Sequence, residues 1–365
     1  MKLKRLLSTS IQEIRNFNNI PSDSRIFSLI QPTGKIHLGN YLGAVKNWKT
    51  LSNLSHLENK CIFGVADLHA ITIPKLATEL KEYRYQAIAS LLSSGLDDSQ
   101  CILYFQSSVP EHTELNWYLT CITSMGQLNR MTQWKSKAKQ GENSTITDDK
   151  VLESTKAGLL CYPILQIADV LIYKSTHVPV GDDQSQHLEL CRDVAERFNS
   201  IYQTDYFPIP KTILTSNKKI LSLKNPNKKM SKSDPNQNSC VYITDSPEAI
   251  KMKIKKATTD SIQGQIYFDP EERPGVSNLI NIVAGIKDLS IDETVNEMSH
   301  LKDHKQLKDY VSEIIIEEFT PMRLKYNEFM NNKDYLTSIV NKGKEHAKEI
   351  AEKNIKEIRT KIGMD

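Results

Sequence analysis

Apolar and polar positions divide the chain into short apolar runs and longer segments with helical spacing. Ile26–Ile30 is a largely apolar run closed by Gln31-Pro32-Thr33-Gly34. From Leu38 onward, Tyr41, Leu42, Val45 and Trp48 recur at intervals of three and four, as on one face of a helix. Cys61–Ala66 and Cys101–Phe105 are further strand-like runs, and Leu76–Leu92 between them has helical spacing. Strands joined by helix-length connections predict an α/β fold, a parallel sheet covered on both faces. Ligands of such sheets bind beyond the carboxyl ends of the strands, where strand order reverses. The loops after the strands are therefore the candidate site.

Further along, Leu115–Met131 reads as one helix and the polar stretch Lys135–Lys150 as a loop. Ala157–Tyr173 is apolar enough to be buried, with a single carboxylate, Asp169, inside it. Gln186–Phe198 is amphipathic. From Ser277 the pattern is helical, and the last helix aligns Ala347, Ala351, Ile355, Ile358 and Ile362 on one face. No internal repeat is visible. A length of 365 residues suits two to three domains at roughly 150 residues each.

With 25% charged and 39% hydrophobic residues the chain is not a disordered one. Its net charge of +3 is too small to announce a nucleic-acid partner, but it is unevenly placed. Residues 1–20 carry Lys2, Lys4, Arg5 and Arg15 against Glu13, so this segment alone holds the excess. It is basic, rich in hydroxyls, poor in acids and amphipathic, and it lacks the long apolar run of a secretory signal. Residues 1–24 therefore read as a mitochondrial targeting segment, with the mitochondrial matrix as destination and a folded body from Arg25. Residues 211–256 hold eleven lysines against three acids. Six scattered cysteines without a Cys-x-x-Cys pair argue against zinc and for a reducing compartment with small buried thiols. No run of 18 apolar residues suggests a membrane span.

Three loops carry groups suited to chemistry. In Gln31–Asn40, a strand end leads into a helix start, whose unpaired N–H groups favour phosphate. His37 and Asn40, three apart, are placed to donate to phosphate oxygens, and Gly39 leaves room for a flat base against the backbone. Lys228–Pro235 interleaves lysines with serines, a compact cationic clamp for charge developing on a leaving group. Val178–His187 runs from a strand end through Gly181 to Asp182, Asp183 and Gln184, which suit ribose hydroxyls and a small substrate, or simple N-capping.

Taken together these residues resemble the class I aminoacyl-tRNA synthetases. His37-Leu38-Gly39-Asn40 is similar to their "HIGH" element and Lys229-Met230-Ser231-Lys232-Ser233 reproduces "KMSKS", in the family's order. Asp67–Thr72, Met131-Thr132-Gln133, Tyr162–Asp169 and Gly181–His187 resemble the tryptophanyl-tRNA synthetases in particular, and the leader points to their mitochondrial form. The resemblance implies a Rossmann-like catalytic domain over 25–228, completed by a C-terminal helix at about 326–365. The KMSKS loop and an all-α anticodon-binding domain would occupy 229–325. It implies ATP, with Mg²⁺ carried on the triphosphate and no protein-bound metal, L-tryptophan and tRNA(Trp) as substrates, a homodimer, and no membrane.

By the same resemblance His37, Asn40, Lys229 and Lys232 would serve catalysis. Gln31, Pro32, Thr33, Gly39, Asn40, Gly181, Asp182, Asp183, Ile220 and the loop Lys229, Met230, Ser231, Lys232, Ser233 would bind ATP. Asp169 would accept the indole N–H, with Phe27, His69, Tyr162, Gln166, Val178, Val180 and Gln184 around the amino acid. A tyrosyl-tRNA synthetase would share the fold but arrange its pocket for a phenol. A small-molecule nucleotidylyltransferase would not need the second motif. A catalytically idle RNA-binding relative would not need both lysines and Asp169.

Overall fold

The computed structural model describes residues 14, 16–57, 60–138, 148, 151, 153, 155–180, 185–214, 219–262 and 264–365. Five strands, β1 (Ile26–Ile30), β2 (Cys61–Val65), β3 (Cys101–Phe105), β4 (His177–Val180) and β5 (Lys211–Leu214), form one parallel sheet in the order β3-β2-β1-β4-β5. Ile26 of β1 stands opposite Cys61 on one side and His177 on the other. β2 and β3 are buried throughout, which is why they read as unbroken apolar runs. After β3 the chain returns to the other side of β1, so strand order reverses between β1 and β4. A cleft opens there at the carboxyl ends.

β5 is an edge strand that the apolar pattern did not predict, lying in the lysine-rich stretch. Its outer edge is partly used by residue 14, whose N–H donates to Thr212 O at 3.1 Å and whose carbonyl accepts from Leu214 N at 3.0 Å. Ile20 is buried and Phe17 packs against the core. The fold therefore draws on residues upstream of Arg25, because an edge strand offers unpaired N–H and C=O groups to any neighbouring extended chain. Residues 1–13, most of the expected leader, lie outside the described residues.

The helix after β1 begins at Leu38–Asn40, loosens to a π-helical stretch over Tyr41–Val45 and continues as Lys46–Ser52. Its Trp48 stacks on Phe63 of β2 with ring centroids 4.7 Å apart. Ala77–Ser93 and Ser185–Ile201 form helices where helical patterns were expected, and the apolar segment at 157–173 is the buried helix Ala157–Leu171. Leu115–Met131 is not one helix. Glu111–Ile122 ends, and Met125–Arg130 starts from a capping box in which Ser124 and Gln127 satisfy each other's backbone N–H. Thr132–Lys137 is helical, so Lys135–Lys137 are helix where a loop was expected, and the rest of the expected loop lies mostly outside the described residues.

Four helices complete the chain: Pro274–Lys287, Ile291–Glu297, His304–Asn331 and Lys333–Ile362. The last returns to the sheet and buries Ala347, Ala351, Ile355 and Ile358. Its Gly343 lies so near β3 that a Cβ there would stand 1.9 Å from the Leu103 carbonyl oxygen. Two of the others, Pro274–Lys287 and His304–Asn331, pack on the helix after β1. Tyr41 Oη donates to Glu318, and Lys46 Nζ donates to the carbonyls of Gly285 at 2.8 Å and Ile286 at 2.6 Å, neutralising the end of Pro274–Lys287.

Four of the six cysteines are buried as small apolar side chains, while Cys121 is exposed. Among the described residues no helix is long and apolar enough to cross a membrane.

Candidate active site

The first loop leaves β1 with Gln31 and turns tightly, Thr33 N–H donating to Gln31 O at 2.9 Å. Gly34 has φ +88°, a conformation that favours glycine. His37 then caps the helix. Its Nδ1 accepts from Asn40 N–H at 3.2 Å, so the proton of the neutral ring sits on Nε2, ready to be donated. Burial, with Lys232 and Lys229 nearby, pulls this imidazole down to about 3. The cap is thus the histidine rather than Asn40, whose side chain stays available to the cleft.

Gly39 is also where the two motifs come together. A Cβ there would stand 3.1 Å from the His37 ring and 3.5 Å from Met230 Cβ, so the glycine lets the second motif approach the first. Met230 is buried, and its N–H donates to Ile220 O at 3.0 Å. Ile220 is itself buried in the core beside it. Backbone bonds Leu38 N to Val241 O at 2.8 Å and Ile243 N to Ile36 O at 3.1 Å join the two motif regions further. Ser231 and Ser233 bond each other through their hydroxyls at 2.8 Å. Lys229 is exposed and stands opposite Leu221 in a short antiparallel bridge.

Lys232 crosses between the motifs. Its Nζ donates to Thr33 Oγ1 at 3.0 Å and to Gly34 O at 3.2 Å. Burial pulls the ammonium down to about 8. Pro32 is buried under this contact and Thr33 is exposed. Each loop thus presents donors toward the same gap.

Below the gap, between β1 and β4, lies a cavity of about 710 Å³. The helix Ala157–Leu171 contributes Tyr162, Gln166 and Asp169, positions i, i+4 and i+7 on one face. Phe27 of β1, His69 from the short helix after β2, and Val178 and Val180 of β4 line it as well, with Gln31 and Asn40 at its upper end. Seven of the eight residues expected around an amino acid thus share one cavity; the eighth, Gln184, lies outside the described residues, as do Gly181, Asp182 and Asp183.

Asp169 is buried yet charged. His69 Nε2 lies 2.7 Å from Oδ2, and Gln106 Nε2 donates to Oδ1 at 2.7 Å. His112 Nδ1 is also 2.7 Å from Oδ1. Burial pushes the carboxyl up, but the contacts with His112 and His69 outweigh it and hold it at about 2. Gln106 and His112 were missed from the sequence. Gln106 directly follows β3, so the rule about strand ends could have found it. His112 gave no signal, because a lone histidine in an apolar helix is usually core. Among the described residues no cluster of three or more His, Cys, Asp or Glu could hold a metal ion.

Fold and site together define an enzyme of nucleotide-dependent amino-acid activation, with a phosphate-facing pair of motifs above a small apolar pocket containing one carboxylate. A family model described as "tRNA synthetases class I (W and Y)" matches residues 21–332, and the chain belongs to that family. It is 50% identical to the mitochondrial tryptophan–tRNA ligase of Saccharomyces cerevisiae over 95% of this chain and 93% of that one. The corresponding Schizosaccharomyces pombe protein is 42% identical over 93% and 96%. The crystal structure of tryptophanyl-tRNA synthetase from Mycoplasma pneumoniae superposes with a TM-score of 0.80 at 30% identity, covering 94% of this chain and 98% of that one.

Proposed function

We propose that the chain activates L-tryptophan with ATP and charges tRNA(Trp) in mitochondria. The tryptophan carboxylate attacks the α-phosphorus, the bond to the β-phosphate breaks, and tryptophanyl-adenylate and pyrophosphate form. The terminal ribose hydroxyl of the tRNA then takes the tryptophanyl group and AMP leaves. No side chain attacks phosphorus, so the protein's contribution is in-line positioning and charge stabilisation. Mg²⁺ enters as part of the nucleotide substrate.

Asp169 carries this reading. A buried anionic carboxylate facing an apolar cavity selects a substrate with a matching N–H donor, because without one its remaining lone pair stays unpaired. Phe27, Tyr162, Val178 and Val180 supply the apolar walls for an indole, and Gln166 and His69 supply polar atoms. His37 Nε2–H and Asn40 donate to the triphosphate, Gln31, Pro32 and Thr33 frame it, and Lys229, Lys232 and the loop serines grip the departing pyrophosphate. Gly181–Asp183 and Ile220 are assigned to the nucleoside.

Residues 229–325 are assigned to the KMSKS loop and anticodon recognition, with the catalytic domain completed by the helix that packs on β3. A homodimer is supported by apolar exposure on Glu111–Ile122 and just beyond, where Trp117 is 64% and Met125 53% exposed. ATP–pyrophosphate exchange driven by tryptophan but not tyrosine tests the assignment, and exchange with tyrosine alone would defeat it.

A further inference from the structure

The Asp169 carboxylate is held from behind by a residue that no motif singles out. His112 is fully buried, with its Nδ1 2.7 Å from Asp169 Oδ1. Its Nε2 lies 3.0 Å from Tyr104 Oη and 2.9 Å from Tyr173 Oη. Tyr104 stacks on the imidazole at 5.9 Å between centroids, and Tyr173 meets it edge-on at 5.4 Å. Tyr173 in turn stacks on Phe27 in the cavity wall at 5.5 Å. The ring is therefore fixed through Nε2 and by the two phenol rings, which leaves Nδ1 in close charge contact with Asp169 Oδ1.

The arrangement divides the two carboxylate oxygens. Oδ1 receives Gln106 and faces His112; Oδ2 receives His69. An ionised carboxylate offers about four acceptor positions. Gln106 and the close His112 ring enclose Oδ1, and Oδ2 keeps one position for a donor in the cavity. His112 does not line that cavity among the described residues, so it acts through Asp169.

We propose that His112, clamped by Tyr104 and Tyr173, is a positioning and specificity-determining residue that fixes Asp169 so that Oδ2 meets a substrate ring N–H. This rests on the tryptophan reading above. Loss of His112 leaves Oδ1 with one donor and lets the carboxylate rotate, weakening recognition of the ring N–H in ground and transition states alike. Such a loss appears in KM more than in kcat. Asparagine can put an amide N–H near the position of Nδ1; leucine cannot.

The test is tryptophan-dependent pyrophosphate exchange by the full chain, His112→Leu and His112→Asn, with thermal melts of all three. A second substrate, the benzothienyl analogue of tryptophan, has sulfur in place of the ring N–H. Wild-type exchange with tryptophan tests the underlying reading separately: if it is absent, that reading fails first. Given it, His112→Leu raises KM for tryptophan about tenfold with kcat within about threefold. It also narrows the preference for tryptophan over the sulfur analogue by about the same factor, and His112→Asn recovers most of both. An unchanged KM and preference in folded His112→Leu overturns the proposal. So does an equal loss with both substrates, or an asparagine variant that melts like wild type and discriminates no better than leucine. If neither variant folds, His112→Gln, which keeps a polar contact to the tyrosines but reaches past Oδ1, must show the leucine phenotype.

Discussion

Replacing Lys232 with methionine removes a charge and keeps most of the side-chain volume. In the ligand-free chain the ammonium is bound to Thr33 Oγ1 at 3.0 Å and to Gly34 O at 3.2 Å, between the two motifs. Both partners are neutral, so these contacts do not compete with a polyphosphate for the positive charge. With a third, longer bond to Thr33 O at 3.4 Å, these neutral-acceptor bonds lost together cost about 1–3 kcal/mol of loop closure. The transition-state loss is larger, because negative charge accumulates on pyrophosphate as it departs; removing one pre-placed donor of this kind costs about 2.7–4 kcal/mol, or roughly 10²–10³ in rate. Single-turnover adenylate formation, followed by rapid quench, should fall by that factor, while equilibrium binding of tryptophan changes less than about threefold.

Proton linkage gives a second reading of the same residue. Burial lowers the lysine from 10.5 to about 8, so its charge is present below pH 8 and is lost as pH rises through that value. The wild-type rate at subsaturating ATP should therefore fall above pH 8, and Lys232→Arg, charged throughout, should flatten that limb. A methionine variant with a wild-type single-turnover rate would refute the assigned role.

Three other outcomes are expected. Asp169→Ala should abolish measurable tryptophan exchange while ATP binding changes less than about threefold, since the three groups around the carboxylate lose their acceptor but the phosphate-facing loops are untouched; nucleotide binding by calorimetry and exchange kinetics check this. Gly343→Ala should destabilise by about 3 kcal/mol, because a Cβ 1.9 Å from Leu103 O must push the last helix off β3; the thermal midpoint reads it, and an unchanged midpoint would contradict the packing. Trp117→Glu should shift the chain from dimer to monomer in sedimentation without lowering the melting point, because the indole is exposed in the single chain.

Much of the site was legible because its chemistry sits in short contiguous segments. The first motif is a strand end joined to a helix start, and the second is a single loop, so their residue types and spacing show directly in the sequence. Tyr162, Gln166 and Asp169 were legible through the family resemblance, and the structure puts them on one face of Ala157–Leu171. The parallel core was legible in β2 and β3, buried on both faces. β5 was not, because an edge strand beginning with exposed Lys211 has no apolar signature. The break at Ser124 was masked by apolar residues that continue across it, although the Ser124–Gln127 spacing was the available clue. His112 and Gln106 reach Asp169 from 57 and 63 positions away, and such contacts exist only after the sheet has assembled. That Gly39 also lets Met230 approach the His37 ring was not legible, because the two motifs lie about 190 positions apart in the chain. The place of Ile14 beside β5 was hidden by the composition of the leader in which it lies.

The central claim is that two charged loops and one buried carboxylate make this chain an activator of tryptophan. ATP–pyrophosphate exchange with purified protein, run in parallel with tryptophan, tyrosine and no amino acid, addresses it most directly. The account predicts exchange with tryptophan alone, lost in Asp169→Ala; exchange with tyrosine, or none with either amino acid from a folded protein, would contradict it.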